Sequence, residues 1–382
     1  MSTAPEVASN AYTVKVEGPH NEDADDRRQK LLSQLETIPK DVKFLRIIED
    51  TPSDTEWAIL GDHFTSVTEL EMDTGFDEAL NDAKMPLHWP LKRYEVASAC
   101  GELVRSPFIL EGKVEHLNLL AAHKEAVAKG EKEPKHLNVT GDNPEGRKIE
   151  FIYIPELASQ WMTKHIGQSG EVQLPPPKQT NTKLLEIIEN DAIDTFNRMA
   201  IPMSDVIFTL RTLNIRSTEG LDFNYTAPKM FSSILTDLEA LHTLVLSVGE
   251  VFDGDGEDEL PFQLYKFFPP NLTTLRFRGP VSLVTSEHWH RWVESFRSLE
   301  YLPNLKTLSF VLDLDYGEDN PSSTPRRKKI KPTDERIRKA KAACEELYDA
   351  AQERDILIEP FVDKWNKRNQ YLDQVDDRWE TL

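Results

Sequence analysis

Leu272-Thr-Thr-Leu275-Arg-Phe277 decides how the chain is read. Its shape is apolar, two residues, apolar, one residue, apolar. The same shape returns as Leu210-Arg-Thr-Leu213-Asn-Ile215, Leu241-His-Thr-Leu244-Val-Leu246 and Leu305-Lys-Thr-Leu308-Ser-Phe310. Side chains alternate sides along a strand, so the fourth and sixth places share one face and the residues between them face the other way. One such unit cannot bury its apolar face alone. Stacked units can, and that is how repeat solenoids are stabilised.

Looser copies precede these four: Val42-Lys-Phe-Leu45-Arg-Ile47, Val67-Thr-Glu-Leu70-Glu-Met72, Leu91-Lys-Arg-Tyr94-Glu-Val96, Val114-Glu-His-Leu117-Asn-Leu119 and Ile149-Glu-Phe-Ile152-Tyr-Ile154. Successive starts differ by 25, 24, 23, 35, 61, 31, 31 and 33 residues. Periods of about 20–50 residues mark solenoids and related arrays. The return segments between them read as helices. Ser286 caps one that carries Trp289, Trp292, Val293, Phe296 and Leu299 at helical spacing. Thr226 starts another with Phe231, Ile234, Leu235 and Leu238 inward. Thr182 to Met199 reads as a third, carrying Leu184, Leu185, Ile187, Ile188, Ile193 and Phe196. Asp334 to Arg354 is a long helix with Ile337, Ala340, Cys344, Leu347 and Ala351 on one stripe, and Ile356-Leu-Ile358 follows as an edge strand.

The expected organisation is a disordered acidic tail at 1–26, a single solenoid at 27–365 and a capping tail at 366–382. Within the solenoid, Arg28 to Ile38 forms an amphipathic helix over the first repeat, and 313–333 is a flexible basic insertion. Folding the tail back would cover an open sheet edge, which otherwise invites aggregation.

Composition narrows the function classes. A formal net charge of −21 repels nucleic acid over most of the surface. No run of about 18 apolar residues exists, so a membrane-spanning helix is not expected. Met1 to Asn10 has neither a basic start nor an apolar stretch, and Cys100 and Cys344 make no disulfide framework or zinc spacing. An intracellular, cytoplasmic setting follows, with the nucleus added if the basic run described below directs import. No cofactor, metal, membrane or small-molecule substrate is expected. Asp253-Gly-Asp-Gly-Glu-Asp-Glu259 has the wrong spacing for a calcium loop, and His288-Trp-His290 puts its imidazoles on different sides of a helix.

The four strong copies, with the flanking stretches Leu210 to Phe223, Leu241 to Phe252, Phe268 to Pro280 and Leu302 to Leu314, resemble degenerate leucine-rich repeats of fungal F-box-like proteins. The late helix with Cys344 and the Ile356-Leu-Ile358 strand share the likeness. The resemblance implies an α/β solenoid, a ribonuclease-inhibitor-like horseshoe. Its parallel sheet would line the concave face, with helices or irregular turns on the convex face. It also implies a protein-interaction module: a substrate-recognition or adaptor subunit in ubiquitin-dependent turnover, contacting ubiquitin-ligase subunits. Two departures stand out. Residues 1–41 contain no Leu-Pro opening and too few apolar residues for an F-box. The ninth repeat position, usually Asn, holds Thr218, Gly249, Pro280 and Asp313. A non-ligase scaffold is therefore the alternative role. An enzyme with its site in the acidic rim loops near Asp253 or Asp313 is the more distant one.

The sheet face opposite the apolar anchors is where a partner would bind. Thr212, Thr243, Thr274 and Thr307 occupy one place in consecutive units. Arg216, Arg276 and Arg278 should converge on that face, suited to a carboxylate or phosphate. Strand formers and solvated charges give the plain alternative. Phe151 and Tyr153 are expected there as aromatic anchors, unless a one-residue slip turns them inward. Charge runs from acidic at Glu69, Glu71 and Asp73 to basic at the late arginines. Arg326, Arg327, Lys328, Lys329 and Lys331 form the one dense basic run, with the composition of a nuclear import signal or of a patch for an acidic partner.

Overall fold

Each inward anchor of the repeat pairs with the same anchor of the next. The computed structural model describes residues 11–17, 24–74, 84–96, 106–120, 180–188, 192–200, 203–216, 228–247, 260–280, 282–313 and 333–359. These residues hold one sheet of eleven parallel strands in strict sequence order. The strands are β1 (Tyr12–Val16), β2 (Phe44–Glu49), β3 (Glu69–Thr74), β4 (Arg93–Val96), β5 (His116–Leu120) and β6 (Leu184–Ile188), followed by β7 (Thr212–Arg216), β8 (Thr243–Ser247), β9 (Thr274–Pro280), β10 (Thr307–Asp313) and β11 (Leu357–Ile358). Leu45, Leu70, Tyr94, Leu117, Leu185, Leu213, Leu244, Leu275 and Leu308 form one row. Ile47, Met72, Val96, Leu119, Ile187, Ile215, Leu246, Phe277 and Phe310 form the next inward row, and both rows are buried in the main core.

The backbone repeats as faithfully as the side chains. Just before each strand from β2 to β9, one carbonyl takes two N–H groups from the following unit. Lys43 O accepts from Thr68 and Glu69 at 2.8 and 3.0 Å, and His242 O accepts from Thr273 and Thr274 at 2.8 and 3.0 Å. Lys92, Glu115, Lys183, Arg211 and Thr273 do the same. Side-chain amides bridge units at the place before the first anchor: Asn181 Nδ2 donates to Lys113 O at 3.3 Å, and Asn271 Nδ2 to Glu239 O at 2.9 Å. Here the inter-repeat asparagine bonds stand before the strand, whereas the leucine-rich-repeat ladder stands after it.

Helices pack against the inward rows. They are α1 (Ala24–Leu35), α2 (Asp54–His63), α3 (Pro107–Leu110), α4 (Ala192–Ala200), α5 (Ser204–Ile207), α6 (Pro228–Asp237), α7 (Leu260–Gln263), α8 (Ser282–Thr285), α9 (Trp289–Arg297) and α10 (Asp334–Gln352). A short 3-10 turn, Leu264–Lys266, follows α7. Phe231, Ile234, Leu235 and Leu238 are buried as the spacing predicts. From α9, Trp292 sits 5.0 Å from the Phe277 ring and 6.0 Å from Phe310, so the helix seals the anchors of β9 and β10.

Both ends of the sheet are closed by polar bonds. At the first edge, Gln34 of α1 donates to Lys15 O at 2.8 Å and accepts from Lys15 N at 2.9 Å. That occupies backbone groups which an unpaired strand would offer to another chain. Arg27 of α1 is buried and reaches Glu56 Oε1 at 2.6 Å, Asp50 Oδ2 at 3.0 Å and Thr51 O at 3.0 Å. Glu56 also completes a capping box with Ser53 at the start of α2. Burial pushes the Glu56 carboxyl up, but the bonds from Arg27 and Ser53 outweigh it and hold the group below its usual range. At the last edge, Arg354 donates to the carbonyls of Phe296, Tyr301 and Leu302, and Tyr348 of α10 donates to Phe310 O.

Four expectations are corrected. Tyr12–Val16, expected in a disordered tail, is the first strand: Val14 and Val16 point inward and are buried, a period-two pattern too short to stand out beside the acidic residues. Correspondingly, α1 begins at Ala24 and lies under the first strand. Thr182 to Met199 is strand β6 followed by α4. Leu184, Leu185, Ile187 and Ile188 fit both periods, and neighbouring strands decide for the sheet. β5 pairs directly with β6, so the place assigned to Ile149 is taken by Leu184–Ile188. Leu299 is 75% exposed, because α9 stops at Arg297 and Ser298 turns extended. Residues 1–10, 314–332 and 360–382, which include most of the basic insertion and the whole capping tail, lie outside the described residues.

Candidate functional site

Alternation puts the third, fifth and seventh places of each strand on the side away from the helices. The third place holds Glu69, Arg93, His116, Leu184, Thr212, Thr243, Thr274 and Thr307 in register. The fifth holds Arg46, Glu71, Glu95, Asn118, Glu186, Asn214, Val245, Arg276 and Ser309. In the seventh, Arg216, Ser247, Arg278 and Val311 follow one another.

From β2 to β7 this face is a hydrogen-bonded network. Arg46 holds Glu71 at 3.0 Å and Asp73 at 2.5 Å. Arg93 holds Glu95 and stands 3.6 Å from Glu69. Asn118 Nδ2 donates to Glu95 Oε2 at 3.2 Å. His116 Nε2 lies 2.9 Å from Asn118 Oδ1 and 2.7 Å from Glu186 Oε2. Both neighbours are acceptors, so Nε2 carries the hydrogen. Asn214 Nδ2 donates to Glu186 Oε1 at 3.1 Å, and its own Oδ1 accepts from Arg216 Nε at 3.0 Å. Two carboxylates thus act as acceptors, two asparagines as relays and two arginines as end donors, across four strands. Glu71 and Glu95 are 2% and 3% exposed, which such carboxylates tolerate only because they are bonded.

From β8 to β10 the face changes character. Thr212, Thr243, Thr274 and Thr307 form the expected row, each half-buried. Arg216, Arg276 and Arg278 do face the same side, but they differ. Arg216 and Arg278 share a row with Ser247 between them, and both are buried. Arg276 has 35% of its side chain exposed and stands 3.6 Å from Glu359, just past β11. Arg276 Nε and the Ser309 Oγ beside it are both buried and have no hydrogen-bond partner among the described residues. Val245 and Val311 form a small apolar patch separate from the main core.

Phe151 and Tyr153 lie outside the described residues, as do Arg326, Arg327, Lys328, Lys329, Lys331 and the acidic loop Asp253 to Glu259. The sequence reading missed Glu186, which links the two ends of the network, because its segment was read as a helix. Leu185-Glu-Ile187 carries the repeat's own fourth-to-sixth spacing and was the available signal. Arg46, between the anchors Leu45 and Ile47, neutralises the acidic end.

Little else on the described surface suggests chemistry. Burial pushes the Cys344 thiol up to about 12, so it stays protonated at neutral pH. Among the described residues no group of three or more His, Cys, Asp or Glu is placed to hold a metal ion, and no described helix is long and apolar enough to cross a membrane. Comparisons with protein-family models, with curated proteins and with solved structures found no match to this chain.

Proposed function

We propose that the chain is a protein-interaction module: a leucine-rich-repeat-type horseshoe whose polar sheet face is concave and binds a partner through its C-terminal half. The observation that carries this reading is Arg276. It is the half-exposed arginine of the β8–β10 half of that face, and among the described residues its charged neighbour is Glu359 at 3.6 Å, itself partly exposed. A partly exposed guanidinium with so loose a counter-ion suits a partner's carboxylate. The overall charge of −21 favours a partner that presents that carboxylate on an otherwise neutral or basic surface.

Of the roles the resemblance suggests, recognition or scaffolding fits better than a ligase adaptor. Residues 12–16 and 24–35, where an F-box would precede the repeats, supply β1 and α1. The chemistry is binding, in an intracellular setting, with the Arg326 to Lys331 run as its import signal.

The test is affinity capture with mass spectrometry, comparing the native chain with Arg276→Glu. Arg278 is left alone, since it is 3% exposed and a carboxylate there would be buried. Capture of the main partner should fall at least about tenfold, the effect of losing roughly 1.4 kcal/mol, with thermal unfolding unchanged. Undiminished capture would remove the basic half of the face as the site. Reproducible recovery of a cullin and its F-box-binding adaptor would restore the ligase role.

A further inference from the structure

The fifth-place row continues one residue past β11. Leu308 pairs with Ile358, so the next residue, Glu359, stands across from Ser309, and its N–H donates to Leu308 O at 3.0 Å. Arg276 is registered with Ser309 from the other side. One strand therefore lies between Arg276 and Glu359. Their side chains meet across it, Nη2 to Oε2, at 3.6 Å, over small and fully buried Ser309.

The backbone bond fixes where the carboxylate starts, but the contact itself is loose. At 3.6 Å it is a charge contact and not a hydrogen bond. The two side chains are 35% and 39% exposed. Exposed pairs of this kind hold by a factor of up to roughly five in equilibrium constant. Glu71 and Glu95 in the other half of the face are buried and hydrogen-bonded, so Glu359 is tied far less firmly than they are.

A carboxylate arriving from a partner needs the same atoms. The strong arrangement takes two guanidinium nitrogens at once. Arg276 Nε is buried, which leaves the Nη1–Nη2 edge, and Nη2 is the atom that Glu359 approaches. The incoming group must displace Glu359 or stand beside it, and carboxylates that close disfavour one another. We infer that Glu359 is a built-in competitor at Arg276, which sets how tightly that arginine holds a partner's carboxylate. The inference rests on the reading of Arg276 as the partner contact.

The test uses the full chain carrying Glu359→Gln, which keeps the shape and removes the charge. Phenylglyoxal, an arginine-directed reagent, probes Arg276 directly, with modification at each arginine mapped by mass spectrometry. Arg276 should react about two- to fivefold faster in the variant than in the native chain, the factor by which an exposed pair holds. Arg278, 3% exposed, is the control and should stay unmodified in both. Capture of the main partner should rise by a similar factor, with the unfolding midpoint unchanged. Glu359→Asp, still charged but one methylene shorter, should fall between the two chains in both readouts.

Equal modification rates would overturn the inference, because Glu359 would then have no hold on the guanidinium. Weaker capture by Glu359→Gln would overturn it as well, since Glu359 would then be a contact for a cation of the partner. Capture that falls with Arg276→Glu and is unchanged in Glu359→Gln would keep the partner site and remove Glu359 as its competitor. Faster modification with capture indifferent to Arg276→Glu would sink the partner site and leave the hold of Glu359 on Arg276 standing.

Discussion

The two halves of the polar face are built on the same strands and the same register, yet they use their polar residues differently. Between β2 and β7, arginines, carboxylates and asparagines bond one another, from Arg46 with Glu71 and Asp73 to Arg216 with Asn214. Between β8 and β10, threonines, valines and Arg276 take those places, and the charged neighbour of Arg276 among the described residues is Glu359 at 3.6 Å. A charge tied to the next strand holds the sheet in register. A charge that is partly exposed and only loosely matched can turn to something else. Charge counted from sequence alone cannot separate these cases, because Glu71 and Arg276 occupy the same place in their repeats.

The contrast is confined to one face, and a pair of core truncations should show it. Leu117 and Leu275 are 1% and 0% exposed and occupy the same inward row. Leu117→Ala and Leu275→Ala should each cost about 2–5 kcal/mol, the usual range for a buried leucine. Chemical denaturation measures this. Similar losses would show that both halves rest on one core. A negligible loss at either would mean that its inward register is wrong.

How much of this was legible in the sequence follows from the same division. Inward anchors were readable from β2 to β5 and β7 to β10, because alternation of apolar and polar residues is a local signal. β1 and β6 were not. Tyr12–Val16 is short and flanked by acidic residues, while Leu184–Ile188 is apolar enough to fit either period, and both are fixed by pairing with distant neighbours. The side of the sheet on which Arg216, Arg276 and Arg278 lie was legible for the same local reason. Their burial was not, nor was the tie of His116 to Glu186 across 70 residues of sequence. Which polar group meets which depends on strand neighbours that the sequence does not place next to each other.

Acid should loosen the two halves unequally. The first repeats also tie their charges on the helix side, where Arg27 binds Glu56 and Asp50. The Glu56 carboxyl is held below its usual range, so it binds its proton less readily folded than unfolded. Its contribution is therefore fully present above the unfolded value, near about 4.3, and is lost as pH falls through the folded value. At neutral pH Glu56→Gln should cost about 1–3 kcal/mol, the range for a bond to a charged group left unmade, since Asp50 and Thr51 still partner Arg27. The gap between native and variant should narrow below about pH 4.3. Hydrogen exchange across that range should rise in β1–β3 before β8–β10. A gap that stays constant through the acid range would show that Glu56 titrates normally.

On the polar face itself the sharpest comparison is Glu186 against Arg276. Glu186 takes one bond from His116 and one from Asn214, so it joins β5, β6 and β7. Replacing it with Ala strands two donors in a partly buried setting and should cost about 1–2 kcal/mol. Among the described residues Arg276 gives the sheet a 3.6 Å contact with half-exposed Glu359. Arg276→Ala should change stability by no more than about 0.5 kcal/mol, as surface substitutions away from a network usually do. Denaturant midpoints of the two variants decide the matter. If Arg276→Ala destabilises as much as Glu186→Ala, the arginine is a structural member of the sheet. The C-terminal half of the face would then lose its claim to be kept open for binding.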